Sequence, residues 1–268
     1  YFSAIGQRDN EKAAEALFTL VDMFEYRPGL IQKEMGLYAS TVNNLVSFLV
    51  FRKRHSEALQ LVRKAQSHYE TWKRVSENKS LLKQVLRTYN VELEIIRDLK
   101  TFDANEKNID SIEVFVKSYE AKMPREYLLS FYFQLACIRF MMQQYSKALH
   151  WTNKALNNRF DNIRVDLQIQ VRILNLMVHF EQKNLFGMRY FVDSTRRFMS
   201  KTANVKPYEN VLLKFFSKAG QAFPEEYPKL FADLYRKLFP DNGEAMVTAQ
   251  ELDYIDYKSW IEEKLLKL

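Results

Sequence analysis

Tyr132–Leu156 reads YFQLACIRFMMQQYSKALHWTNKAL. It divides at Met142–Gln144 into two segments whose apolar residues recur at three- and four-residue spacing, the mark of helices that each bury one face. Ala136 and Ala148 are small enough to let two backbones approach closely. Tyr132, Leu135, Tyr145 and Leu156 supply bulk around them, and Ala155 is a second small position. A helix pair of this size cannot bury both apolar faces alone, so neighbouring pairs must stack against it.

Two further stretches carry the same arrangement. In Val42–Ala65, Val42, Leu45 and Val46 stand on the first helix, His55 at the turn, and Ala58, Val62 and Ala65 on the second. In Arg172–Thr195, Leu176, Leu185, Met188 and Val192 hold the corresponding places. Matching buried positions at Val46, Ala136 and Leu176 leave room for one more pair, assigned to helices around Thr88–Lys100 and Asp110–Lys122. These residues together resemble the tetratricopeptide (TPR) repeat, whose regular period is about 34 residues. The spacing here is longer. Arg139 stands where the family prefers an aromatic residue, and Gln143 where it prefers the turn glycine. The resemblance implies an all-α fold, an α-α superhelix of antiparallel helix pairs. The C-terminal sequence also resembles the ends of bacterial helical-repeat proteins.

The remainder of the chain agrees with an all-α reading. Six Gly and six Pro in 268 residues are too few for a many-stranded β protein. Ala13, Ala16, Leu17, Leu20, Val21 and Phe24 form a buried stripe on a first helix. Asp110-Ser111 and Asp161-Asn162 offer side-chain oxygens for helix N-caps. Residues 1–205 read as repeats. Residues 206–268 read as a helix pair plus a capping helix over Leu252–Leu268, joined to the repeats through the loop at residues 200–207. Tyr1–Ala4 reads as the end of a helix, so an upstream part of the protein is expected to precede it.

Catalytic patterns are missing from the sequence. His55, His68, His150 and His179 show no i, i+4 pair of the kind that places two metal ligands on one helix face. No two glycines are spaced as a phosphate loop needs, and no G-x-S-x-G elbow occurs. Asp241–Glu244 lacks the ligand spacing of a calcium loop. Cys137 is the single cysteine and reads as a structural thiol. The expectation is a non-enzymatic protein without cofactor or metal. No apolar run reaches the ~18 residues that cross a bilayer, and a cytoplasmic location is expected.

Two binding surfaces follow. In TPR proteins the inner faces of the first helices line a concave groove for a peptide or partner helix. Carried over by position, the resemblance puts Asn43, Ser47 and Phe51 there. Phe133, Cys137, Phe140 and Met141 follow from the best copy, and Met177 from the third. Ser47, Cys137 and Met177 stand where a carboxylate-clamping groove needs Asn, so a chaperone-tail clamp is not expected. The alternative is RNA. Net charge is +7, and residues 51–100 hold 12 Lys or Arg against 6 Asp or Glu. Arg52, Lys53, Arg54, Lys73, Arg74 and Lys83 form a basic patch suited to phosphate contacts. Such charges also occur on ordinary solvated helix faces, and no repeating base-reading pattern is visible.

Overall fold

The computed structural model describes residues 7–71, 78–240, 244–248 and 255–267. Within them the chain forms thirteen α-helices and no strand. They are α1 (Gln7–Tyr26), α2 (Pro28–Lys33), α3 (Met35–Phe51), α4 (His55–Thr71), α5 (Lys79–Asp98), α6 (Glu106–Tyr119) and α7 (Arg125–Met141). Then come α8 (Tyr145–Asn157), α9 (Val165–Glu181), α10 (Met188–Met199), α11 (Pro207–Ala219), α12 (Tyr227–Leu238) and α13 (Tyr257–Lys267). Two compact units, Tyr1–Leu128 and Leu129–Leu268, contain them. The division falls inside α7.

Packing is local in sequence. In the first unit α3 packs on α1, α4 and α5, and α4 packs on α5. In the second, α8 packs on α9, α9 on α10 and α11, α10 on α11, α11 on α12, and α12 on α13. These contacts join helices that are next or next-but-one in sequence, as expected when apolar faces are covered by packing adjacent hairpins.

One backbone turn recurs at the ends of four helices. The helices α3, α5, α7 and α9 each end with a non-glycine residue of left-handed conformation: Lys53 (φ 57°), Lys100 (φ 52°), Gln143 (φ 57°) and Lys183 (φ 56°). Around each, the next residue donates its N–H five positions back: Arg54 to Leu49, Thr101 to Ile96, Gln144 to Arg139 and Asn184 to His179. The left-handed residue itself donates three positions back in every case. This two-bond pattern is the Schellman motif, which satisfies carbonyls that a helix end leaves without partners. The four turns stand at positions 53, 100, 143 and 183, steps of 47, 43 and 40 residues. The chain after α11 breaks the series, since Gly220 has φ −68°.

Several local expectations change. In α1 the buried residues are Ala14, Val21 and Phe24, whereas Ala13 and Ala16 are exposed. Alanine favours a helix without needing burial, so it marks the inner face poorly. Asp110 lies inside α6, whose cap position is Asn105. Asp161 (φ 46°) belongs to the turn before α9, whose cap position is Arg164. The cap sequence reading missed is Asn78, whose Oδ1 accepts from the N–H groups of Ser80 (3.0 Å) and Leu81 (3.1 Å) at the start of α5.

The second unit is closed by α13. Phe180, Phe215, Phe216, Phe231 and Trp260 form a buried aromatic cluster, with ring centroids between 4.8 and 6.5 Å apart. Trp260 Nε1 donates to Glu181 Oε1 (2.7 Å), and Lys264 Nζ donates to the other carboxylate oxygen (2.5 Å). Both charges of that pair are largely withdrawn from water, which makes the contact directional rather than merely adhesive.

Candidate functional site

The groove residues expected from the repeat lie mostly in the interior. Asn43, Phe133, Cys137, Phe140 and Met177 are buried, Ser47 and Met141 are half-buried, and only Phe51 is well exposed, at 57 %. Asn43 is fully engaged: its Nδ2 donates to the Gln84 carbonyl (2.9 Å) and its Oδ1 accepts from the Thr88 hydroxyl (2.9 Å). Ser47 Oγ accepts from Arg87 (2.8 Å) and donates to the Asn43 carbonyl (2.8 Å). These polar groups hold α3 to α5. An inner-helix position in a tightly stacked pair is used for packing first, and aromatic or sulfur-containing residues there fill volume.

The basic patch is partly neutralised. Arg52 pairs with Glu11, and Arg54 makes a two-pronged contact with Glu57 while its guanidinium sits 5.5 Å from the Phe18 ring centroid. Lys53 is exposed at the Schellman turn, and Lys83 is exposed on α5. Lys73 and Arg74 lie outside the described residues. Further along, Glu92 is buried and accepts from Arg63 (3.0 Å) and Gln66 (2.6 Å). That arrangement fastens α4 to α5.

An open concave site lies elsewhere, between α11 and α12 in the second unit. It is a cleft of about 510 Å³ lined from α11 by Val211, Lys214, Phe215 and Lys218, and from α12 by Leu230, Asp233, Leu234 and Lys237. Each set runs i, i+3, i+4, i+7, so both helices turn one whole face to the cleft. Arg196 of α10, Ser217 and Met246 complete the wall. A smaller cleft of about 310 Å³ between α10 and α11 shares Arg196 and Ser217 with it.

The charge on this cleft is one-sided. Arg196 is paired with Asp193 (2.6 Å), and Asp233 with Arg236 (2.6 Å). Lys214, Lys218 and Lys237 are exposed and form no ion pair among the described residues. The lining between them is apolar, formed by Val211, Leu230, Leu234 and Phe215, with Met246 at one side. Sequence reading missed the site because the lysines are spread over two helices and stand among ordinary helix-surface charges.

Among the described residues no group of His, Cys, Asp or Glu is arranged to hold a metal ion, and no helix is long and apolar enough to cross a membrane. The polar residues of the cleft include no paired nucleophile and base. Comparison with protein-family models, with characterised proteins and with solved structures gives no match for this chain.

Proposed function

We propose that this protein is a TPR-like α-α superhelix acting as a non-catalytic interaction module that binds a partner protein or peptide on an exposed face of its helix stack. The repeated Schellman turn at Lys53, Lys100, Gln143 and Lys183 supports the repeat reading, as do the contacts of α3 with α4 and α5 and of α9 with α10 and α11. The observation that carries the binding role is the apolar-floored cleft between α11 and α12, left open by otherwise dense packing. A surface of this kind suits the laying of one helix or strand against two others.

RNA binding through the 51–100 segment is the weaker reading, since Arg52 and Arg54 already face carboxylates. Affinity capture from the source cells, with and without nuclease and at low and high salt, separates the two. A discrete protein retained through both treatments is the expected result. Recovery only of material released by nuclease would favour nucleic acid and overturn the proposal.

A further inference from the structure

The cleft between α11 and α12 specifies its occupant more closely than a general interaction role does. We infer that it receives an acidic amphipathic helix, whose apolar stripe sits on the cleft floor and whose carboxylates meet Lys214, Lys218 and Lys237. This inference rests on the protein-binding reading above and adds the site and the chemistry of the partner.

Three features of the cleft argue for that occupant. Its two walls are helical faces with i, i+3, i+4, i+7 spacing, a trough of the kind a third helix fills by ridge-and-groove packing. The floor is aliphatic: Val211, Leu230 and Leu234 come from the two helices, and exposed Met246 closes one side with a side chain that adapts to different apolar contours. The rim carries three lysines without carboxylate partners among the described residues, one pair on α11 and one lysine on α12, so cations flank the floor from both sides. An apolar anchor flanked by anions matches each part.

Nucleic acid matches only the rim. Single strands bind without sequence preference by stacking bases on exposed aromatic faces. Phe215, the aromatic residue of the floor, is buried to 5 % exposure and is packed into the cluster around Trp260. A basic helix is excluded by the lysines, and an uncharged one leaves them without partners. The acid on the wall, Asp233, is held by Arg236 and adds little repulsion.

The test uses the full chain and a fluorescein-labelled synthetic helix of about four turns, with leucines at three- and four-residue spacing and glutamates beside them. Three controls accompany it: a peptide with lysines replacing the glutamates, a peptide with serines replacing the leucines, and a single-stranded RNA of similar charge. Fluorescence anisotropy is expected to show saturable binding of the acidic helix alone, weakened by added salt. The combined Lys214→Glu, Lys218→Glu and Lys237→Glu substitutions, all at exposed positions, should weaken it by roughly tenfold or more. Leu230→Ser, at a half-buried position, should weaken it without changing its salt dependence. Equal binding of the serine peptide or of the RNA would show a general polyanion surface and overturn the inference. Failure of the acidic helix to bind would also overturn it. Capture of a protein partner insensitive to the three lysine substitutions would leave the interaction role standing on another face, so the two failures are distinguishable.

Discussion

The phenol of Tyr257 donates a 2.6 Å hydrogen bond to Oε1 of Gln170, joining α13 to α9 across 87 residues of sequence. The Nε2 group of the same glutamine donates to Tyr208 Oη (2.8 Å) and Glu209 Oε1 (2.8 Å), and all four residues are buried. Glu209 Oε2 in turn accepts from the Lys206 N–H (2.9 Å) at the start of α11. One glutamine thus fixes the relative placement of three helices, and the wall of the cleft formed by α11 is set by it. Removing the Tyr257 hydroxyl leaves Gln170 Oε1 without its donor in a dry site. Tyr257→Phe should therefore lower unfolding stability by about 1–3 kcal/mol, read from the urea midpoint at unchanged slope.

Lys183 occupies the left-handed position after α9 and is exposed. A Cβ in that conformation costs about 1–2 kcal/mol, which glycine escapes while retaining both Schellman hydrogen bonds. Lys183→Gly should raise stability by up to about 1 kcal/mol once the extra chain entropy of glycine is included. Lys183→Val should lower it, because a branched side chain tolerates positive φ poorly. Paired thermal melts of the two variants check the opposite signs.

Gly220 is retained for space rather than for conformation. Its φ is −68°, but a Cβ there would lie 2.7 Å from Met188 Cγ and 2.9 Å from Met188 Cβ. Neither atom is the free end of the methionine, so α10 would have to move away from α11. Gly220→Ala should cost about 1–3 kcal/mol. In a double-mutant cycle with Met188→Ala the two costs should sum to more than the double variant loses.

Burial depresses the pKa of His179 below the ordinary imidazole value. The ring stacks on Phe191 at 4.0 Å between centroids, its Nδ1 lies 3.2 Å from Asn184 Nδ2, and its Nε2 has no hydrogen-bond partner among the described residues. As pH falls, the unfolded chain takes up the proton before the folded one does. The stability held by neutral His179 is thus complete above the ordinary value near pH 6.5. It is lost as pH drops through that value toward the depressed one. Wild-type stability should fall more steeply between pH 7.5 and 5.5 than that of His179→Gln. Urea titrations of both proteins across that range supply the comparison, and equal slopes would remove His179 from the account.

The helix pairs were legible because their signal is periodic and local. Val42–Ala65, Tyr132–Leu156 and Arg172–Thr195 correspond to α3–α4, α7–α8 and α9–α10, and the pair between them to α5–α6. The alanines at positions 58, 136, 148 and 155 are buried, as close approach of backbones requires. The turns were less legible, because left-handed residues here are Lys and Gln instead of Gly. Arg139 is another departure. It is fully buried where an aromatic residue was expected, with its guanidinium donating to Gln144 Oε1 (2.9 Å). Phe133, Cys137, Phe140 and Met177, assigned to a groove by position, are buried, since side-chain type and helix position do not report how tightly adjacent helices close. The α11–α12 cleft could not be read from sequence, since its lysines and aliphatic floor become neighbours only when the two helices pack.

Hydrogen exchange with and without the acidic amphipathic helix tests the central claim most directly. New amide protection confined to residues 207–219 and 227–238, and abolished by the three lysine substitutions, is the result expected of docking between α11 and α12. Protection centred on α3, α7 and α9 with those two helices unchanged would contradict it and return the binding site to the inner faces of the repeats.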